Sequence, residues 1–351
     1  LPGAAIAIGL LALAVALYIA LKVDLEMGPL RIILLGIILA LGALVIGQRI
    51  GYVIVVAALL FANGGYYNAA LSWSDLRTRS YFGVYSVNAA QGGRLRWLSH
   101  GTTMHGMQLT DQPTRPISYY GMTSGVGQAM TQAPSLYGQN ASIGVVGLGT
   151  GTLSCYKRPG QNWQFFEIDP TVISLSRNGG YFSYIDRCAP DVPIRLGDAR
   201  LTIAKAPQGS IDILAIDAFS SDAIPVHLLT REAFDAYARA LSKDGMLLIH
   251  ISNRYIDLEP VLEKEAAARG WAIAKRWDYI GPELEGDGLR TSQWVAISPS
   301  KAKLAELTGP LETGDPRSFA TPAWSPVEGR DDFTRWTDDF ASVLPLMHLW
   351  R

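Results

Sequence analysis

The sequence has little charge and few cysteines. Of its 351 residues 17% are charged, and the formal net charge is -1. It therefore lacks the basic surplus of a nucleic-acid-binding protein. Two cysteines, Cys155 and Cys188, are too few for a disulfide framework, and we expect free thiols in a cytosolic domain. The five histidines lack the spacing of metal ligands, so no metal site is predicted.

Long apolar runs dominate the first part of the chain instead. They cover residues 4–21, 32–47 and 50–62, and residues 64–71 extend the last one. The first two approach the length that spans a bilayer. A cleaved signal peptide is disfavoured because nothing basic precedes the first run and further apolar runs follow it. We predict that residues 1–72 form about three transmembrane helices.

Basic residues near these runs predict the orientation. Lys22 and Arg31 lie between the first two helices, Arg77 and Arg79 follow the third, and Arg49 stands alone on the other side. Lysine and arginine accumulate in cytoplasmic loops. We therefore expect an integral protein of the inner (cytoplasmic) membrane whose C-terminal part faces the cytoplasm.

The remaining chain changes character three times. Residues 80–115 alternate like strands around Gly92-Gly93 and predict a small antiparallel β-sheet domain. Residues 116–300 form the next domain, which we expect to open with a helix over 116–133. Residues 301–351 are rich in proline, glycine and aspartate and predict a C-terminal tail packed on the domain.

Strand and helix patterns alternate through the third region, which predicts an α/β fold with a Rossmann-like doubly wound sheet. Ligands bind such sheets at the carboxyl ends of the strands. The predicted strands are 143–147, 163–168, 192–196, 211–217, 245–251, 271–277 and 291–297.

A glycine loop follows the first of these strands. Gly147, Gly149 and Gly151 alternate, and Glu167 ends the next apolar run. Glycines allow a tight turn and close approach of a ligand, and an acid at the second strand end is placed for ribose hydroxyls. The tight spacing favours S-adenosylmethionine-type donors over dinucleotides, although a glycine turn that only packs a helix is the alternative.

Further polar residues fall at strand ends. Asp198 and Asp217 join Glu167 there, and Asp198 precedes a helix, so it is also a candidate helix cap. His100 and His105 flank the proposed pocket, and His227 and His250 lie near strand ends. For all four, loop packing and a role as general base or substrate contact are open alternatives.

With these residues in view, the sequence resembles the spermidine synthase (polyamine aminopropyltransferase) family, and more narrowly its bacterial branch fused to membrane helices. The resemblance covers roughly residues 80–298. Its motifs are Gly147-Leu-Gly-Thr-Gly151, Phe166-Glu-Ile-Asp169, Gly197-Asp198-Ala199, and Asp217-Ala-Phe-Ser-Ser-Asp222 running on to Leu228-Leu-Thr230.

The resemblance implies a role for each matching residue. The glycine loop and Glu167 would hold the donor and its ribose, Asp198 its adenine, and Gln108 would lie near it. Asp217 would act on the amine substrate, with Tyr119 and Tyr120 lining the site and Asp222 as a second amine anchor. The donor would be decarboxylated S-adenosylmethionine or S-adenosylmethionine itself, used as a co-substrate, with no tightly bound cofactor.

Departures from the family pattern leave the reaction open. Thr150 stands where the family's loop carries an acid, Ser220 where it has a second substrate acid, and Arg115-Pro116 where it has an acid pair. The first hypothesis is a membrane-anchored transferase that aminopropylates a small-molecule amine, with Asp217 as base and anchor. The second is a methyl or aminocarboxypropyl transferase that uses S-adenosylmethionine on a lipid or other membrane-associated acceptor.

A third hypothesis is a non-enzymatic domain that binds a nucleoside ligand and regulates a membrane partner, against which the retained strand-end acids argue. Asp338 and Asp339 are candidates to fold back and supply missing acids. A homodimer is considered, and no nucleic-acid partner is expected.

Overall fold

The computed structural model describes residues 2–22, 28–101, 103–219, 224–253, 255–309, 324–330 and 332–347. The chain divides into two compact units, Leu1–Thr78 and Arg79–Arg351.

The N-terminal unit is helical. Two stretches, Gly3–Lys22 and Arg49–Trp73, are long and apolar enough to cross a membrane, and Pro29–Leu44 is a shorter apolar helix. The second stretch is interrupted at Asn63 and Gly64, whose backbone leaves the helical region. The elements are α1 (Pro2–Lys22), α2 (Pro29–Leu44), α3 (Arg49–Leu60), a π-helical segment (Phe61–Gly65) and α4 (Tyr66–Trp73).

Small residues let these helices pack closely. Ala12, Ala16 and Ala58 are fully buried. A Cβ atom on Gly51 of α3 would lie 2.6 Å from the carbonyl oxygen of Ala5 in α1, so the backbones are nearly in contact. Leucine, isoleucine and valine side chains cover much of the outer surface of the unit. Small residues inside and apolar residues outside are typical of helices that pack within a bilayer.

The predicted small antiparallel sheet follows the apolar helices in the chain. Its strands are β1 (Arg77–Arg79), β2 (Val84–Ala90), β3 (Leu95–His100) and β4 (Thr103–Leu109), in that spatial order. Both β2–β3 and β3–β4 are antiparallel, as expected.

The predicted helix over 116–133 is wrong in its position. The helix α5 runs over Gly125–Tyr137, and the Ser124 hydroxyl oxygen accepts a hydrogen bond from the backbone N–H of Gly127 as its N-terminal cap. Residues 116–124 form turns because this cap fixes the start of the helix. The shift leaves Tyr119 and Tyr120 outside the helix, where both line the cavity described below.

The large sheet has seven strands, and every predicted strand is present. The five strands from β9 to β7 are parallel, and β11 and β10 are added antiparallel at one edge. The connection from β10 to β11, residues 279–291, contains only the one-turn helix Pro282–Glu285, so the chain returns as an antiparallel hairpin and not through a crossover. The order is β10-β11-β9-β8-β5-β6-β7, for β5 (Ser142–Val146), β6 (Asn162–Glu167), β7 (Ile194–Leu196), β8 (Ile211–Ile216), β9 (Leu241–His250), β10 (Ala272–Asp278) and β11 (Ser292–Ser298).

Helices complete the fold around this sheet. One core cluster packs residues of β8, β9 and β11 against α9 and α10. The helices are α6 (Pro170–Ser176), α7 (Tyr184–Cys188), α8 (Ala199–Ile203), α9 (Arg231–Ala240), α10 (Glu259–Arg269), α11 (Pro282–Glu285) and α12 (Lys301–Thr308).

The expectation of free thiols is wrong. Cys155 and Cys188 form a disulfide, with 4.8 Å between their Cα atoms. Cys155 lies just after the glycine loop and Cys188 ends α7. These two segments pack directly, because a Cβ atom on Gly151 would lie 2.7 Å from Ile185. The cysteines are 33 residues apart in sequence, so only the fold reveals that they are neighbours.

The described C-terminal segments pack on the second unit, as predicted. Phe333 and Trp336 are buried in the core cluster that contains residues of β8, β9 and β11. Asp338 accepts hydrogen bonds from the Arg200 guanidinium at 2.5 and 2.6 Å and from the Thr230 hydroxyl at 2.9 Å. It therefore fastens the tail to α8 and α9.

Candidate functional site

A cavity of about 780 Å³ opens at the carboxyl ends of the central strands. The glycine loop after β5 and the end of β6 line one side, and the ends of β8 and β9 line the other. The small sheet closes it through β2, β3 and β4. This position is where open α/β sheets bind their ligands.

Close packing requires glycine at the positions of this loop. Gly147 has a φ of +92°, and a Cβ atom there would lie 2.3 Å from the Asp217 carbonyl oxygen. Gly149 has a φ of +51°, and its Cβ would lie 2.5 Å from the His105 carbonyl oxygen. Both glycines line the cavity. Gly151 instead packs against Ile185. The loop therefore joins the two sheets at the cavity.

Glu167 lies at the end of β6 and lines the cavity, as predicted. One carboxylate oxygen accepts the Leu148 N–H and the other accepts the Asp169 N–H, each at 2.9 Å. Burial raises the pKa of Glu167, and the backbone hydrogen bonds oppose that rise. Each oxygen keeps lone pairs that can accept further donors, such as ribose hydroxyls.

Asp169, two residues further on, has a structural role. It accepts hydrogen bonds from the Ser80 hydroxyl and from the Thr171 N–H, and so caps α6. Burial would raise the pKa of Asp169, but these hydrogen bonds outweigh it and lower the pKa. Asp169 therefore ties the start of the small sheet to the large sheet beside Glu167.

Asp217 follows β8 at the other side of the cavity. Its Oδ2 accepts the Tyr120 hydroxyl at 2.6 Å, and its Oδ1 lies 2.7 Å from His250 Nδ1. Burial, followed by the nearby Asp217 charge, raises the pKa of Tyr120 well above its usual value. Tyr120 therefore serves Asp217 as a neutral hydrogen-bond donor.

His250 extends this chain of hydrogen bonds to a serine. Its Nε2 lies 2.7 Å from Ser252 Oγ, which also accepts the backbone N–H of Gln293 at 2.8 Å. Because Asp217 and His250 end adjacent parallel strands, the sheet register brings them together. In the sequence His250 was one of four histidines whose role stayed open, and Ser252 was not predicted to contribute to the site. The available signal was a polar pair, His-Ile-Ser, directly after a buried strand.

Other predicted residues lie away from the cavity wall. Asp198 caps α8 by accepting the Leu201 N–H at 2.9 Å, and its other oxygen lies 3.0 Å from His227 Nε2. The capping alternative for Asp198 is thus realised, and its partner His227 lines the cavity. The Gln108 amide bonds Pro113 and Ser183 and holds two loops together. Contacts of Asp198 and Gln108 with a donor stay predictions.

The other acidic or substituted positions add no carboxylate to the described cavity wall. Asp222 lies outside the described residues, as does Ser220. Thr150 is buried and contacts Thr152 and Gly106, so its side chain packs against β4. Asp338 binds Arg200 rather than contributing an acid to the cavity. Among the described lining residues the carboxylates are therefore Glu167 and Asp217.

The aromatic and histidine content of the wall is high. Tyr85, His100 and His105 form a run of rings with centroids 4.7 and 5.4 Å apart. His100 also occupies the space beside Gly83, where a Cβ atom would lie 1.9 Å from its Nε2. This packing favours the structural alternative for His100.

Comparison with known proteins agrees with the predicted resemblance. A polyamine aminopropyltransferase of Vibrio vulnificus (strain CMCP6) is 30% identical over 163 residues, which are 45% of this chain and 52% of that protein. The chain thus spans about half the length of this curated relative. No family model matches the chain.

One solved structure has the same fold over most of its length. A probable spermidine synthase from Corynebacterium glutamicum ATCC 13032 is 19% identical, with a TM-score of 0.51, and the match covers 74% of this chain and 98% of that one. A spermidine synthase from Thermotoga maritima is 15% identical with a TM-score of 0.47, over 64% and 72% of the two chains. Over 163 residues the sequence is thus similar to a polyamine aminopropyltransferase, and the α/β fold is that of the Corynebacterium glutamicum structure.

Proposed function

We propose that this protein is a membrane-anchored, spermidine synthase-like transferase that moves the aminopropyl group of decarboxylated S-adenosylmethionine to an amine. The observation that carries the proposal is the cavity with Glu167 and the glycine loop on one side and Asp217 with Tyr120 on the other. The similarity to an aminopropyltransferase supports it.

The chemistry needs few groups. The donor sulfonium is already a good leaving group, so the protein has to align the acceptor nitrogen with the donor carbon and remove a proton. Asp217 is proposed as amine anchor and base, because a carboxylate attracts an ammonium ion and accepts its proton. Glu167 is proposed to bind the donor ribose, with Asp198 and Gln108 beside the donor as implied by the resemblance.

A second reaction has specific support. The ammonium groups of a polyamine need partners when buried, and the described lining offers two carboxylates, one of them already engaged with backbone. Thr150 supplies no acid from the glycine loop. These observations favour an acceptor with one amine, or a methyl or aminocarboxypropyl transfer from S-adenosylmethionine to a lipid or other membrane-associated acceptor.

Membrane anchoring is proposed from the N-terminal unit. Its exposed apolar surface and its two helices of spanning length support insertion into the inner membrane. The basic residues favour a cytoplasmic transferase unit, whereas the disulfide favours an oxidising compartment. Two reporters fused after residue 351, one active only in the cytoplasm and one active only outside it, test these alternatives. The reporter that is active identifies the side of the membrane on which the transferase unit lies.

The first test uses the full chain in detergent. Calorimetric titration with decarboxylated and intact S-adenosylmethionine identifies the donor, and product analysis identifies the reaction. Methylthioadenosine formed with an amine supports aminopropyl transfer, and S-adenosylhomocysteine supports methyl transfer. If neither donor binds, the adenosyl site and both proposals fail.

A further inference from the structure

We propose that His250 is the proton acceptor of the transfer reaction and that Ser252 conducts the proton to it from the acceptor. This inference rests on the proposed function. It differs from it in one respect, because His250 and not Asp217 finally holds the proton taken from the acceptor. The three side chains form a continuous line, with 2.7 Å from Ser252 Oγ to His250 Nε2 and 2.7 Å from His250 Nδ1 to Asp217 Oδ1.

The partners assign the hydrogens along this line. The Asp217 carboxylate accepts from Tyr120 at Oδ2, so its Oδ1 is free to accept the Nδ1–H of His250. Nε2 of the neutral ring is then an acceptor. Ser252 Oγ already accepts the Gln293 N–H, so its own hydrogen points to Nε2. Serine, histidine and aspartate hold the same relation in sites where histidine removes a proton.

The surroundings of His250 suit a ring that becomes charged. Its imidazole is stacked on Trp294 with centroids 4.5 Å apart and planes 7° apart. The ring centroids of Phe219 and Tyr119 lie 5.0 and 5.3 Å from that of His250. Aromatic faces stabilise a cation, and Asp217 neutralises it. The ring is almost fully buried, with 4% of its side chain exposed, so water does not replace these contacts.

The proton balance is simple. The acceptor arrives as an ammonium ion and gives one proton to Ser252 Oγ, which passes its own hydrogen to His250 Nε2. The free amine then attacks the donor carbon, a C–N bond forms, and the C–S bond breaks with its electron pair on sulfur. Asp217 stays ionised throughout and holds the imidazolium. Both Ser252 and His250 line the cavity, so the acceptor reaches this line directly.

The decisive experiment compares acceptors of different basicity. The full chain in detergent receives decarboxylated S-adenosylmethionine and a series of primary amines with stepped ammonium pKa values, and methylthioadenosine is measured. The variants are His250→Gln, Ser252→Ala and, as a control on the exposed surface of α5, Ser135→Ala. Glutamine keeps a polar amide in place of the imidazole but cannot take a proton.

We expect His250→Gln to lower kcat about 100-fold or more with strongly basic amines, as for loss of a general base. The loss should shrink to less than about tenfold with amines that are already unprotonated at the assay pH, and donor affinity should not change. Ser252→Ala should follow the same trend more weakly, and Ser135→Ala should match the wild type.

Three outcomes overturn the inference. If His250→Gln keeps wild-type kcat, His250 is not the proton acceptor and Asp217 takes the proton itself. A loss of equal size with every amine assigns His250 a structural role. If the wild type converts the donor with none of the amines, the proposed aminopropyl transfer fails first and the inference falls with it.

Discussion

The disulfide offers the sharpest prediction on stability. Cys155 and Cys188 are 33 residues apart and join the segment after the glycine loop to α7. Closing a loop of this length in the unfolded chain removes conformational entropy worth roughly 3–4 kcal/mol at 25 °C. We expect the Cys155→Ser, Cys188→Ser double variant to lose about that much free energy of unfolding.

The expected change in melting temperature follows from this energy. One kcal/mol corresponds to about 2–4 °C for a domain of roughly 150–250 residues, so the double variant should melt about 6–16 °C lower. The assay is a thermal melt of the full chain in detergent, followed by near-ultraviolet circular dichroism to report tertiary packing.

Reductant provides the matched control. It should lower the melting temperature of the wild type to that of the double variant and leave the double variant unchanged. Alkylation of the unreduced, denatured protein should modify neither cysteine. Modification of both cysteines, or equal melting of wild type and double variant, would refute the assignment of a stabilising disulfide.

Three further predictions concern the site and the tail. Glu167→Gln should weaken donor binding about 10-fold or more by calorimetry, because a hydrogen bond to a charged group contributes about 1.5–3 kcal/mol; unchanged affinity would exclude Glu167 from the donor site. Gly147→Ala should destabilise the chain by more than about 3 kcal/mol, since its Cβ meets backbone at 2.3 Å. Gly92→Ala, also at positive φ but with open space, should cost only about 1 kcal/mol, and equal costs in chemical denaturation would contradict this. Asp338→Asn should cost at most about 1 kcal/mol near pH 7, because the ion pair with Arg200 is partly exposed. The hydrogen bond from Arg200 lowers the pKa of Asp338, so its contribution is present above the unfolded pKa of about 4 and lost as pH falls below it. The difference in urea midpoint should therefore shrink as pH falls below about 4, and a difference that does not shrink there would contradict the assignment.

The strand pattern was readable because burial on both faces of a parallel sheet requires continuous apolar runs. Every strand of the large sheet was predicted close to its observed bounds. The helix before β5 was misplaced, because residues 116–124 have no strong breaker beyond Pro116 and the cap at Ser124 acts through a local hydrogen bond. Glu167 and Asp217 were identified because strand ends converge at one edge of the sheet.

By itself the sequence determined the apolar helices, the positions of the strands along the chain and the glycine loop, all of which depend on local composition and spacing. Tertiary structure decided which partner each polar group has. It joined Cys155 to Cys188, placed His227 beside Asp198, and aligned Ser252, His250 and Asp217. Hydrogen bonds and disulfides need atoms within a few ångströms. Between residues far apart in sequence, such distances follow from strand order and register, which local pattern does not fix.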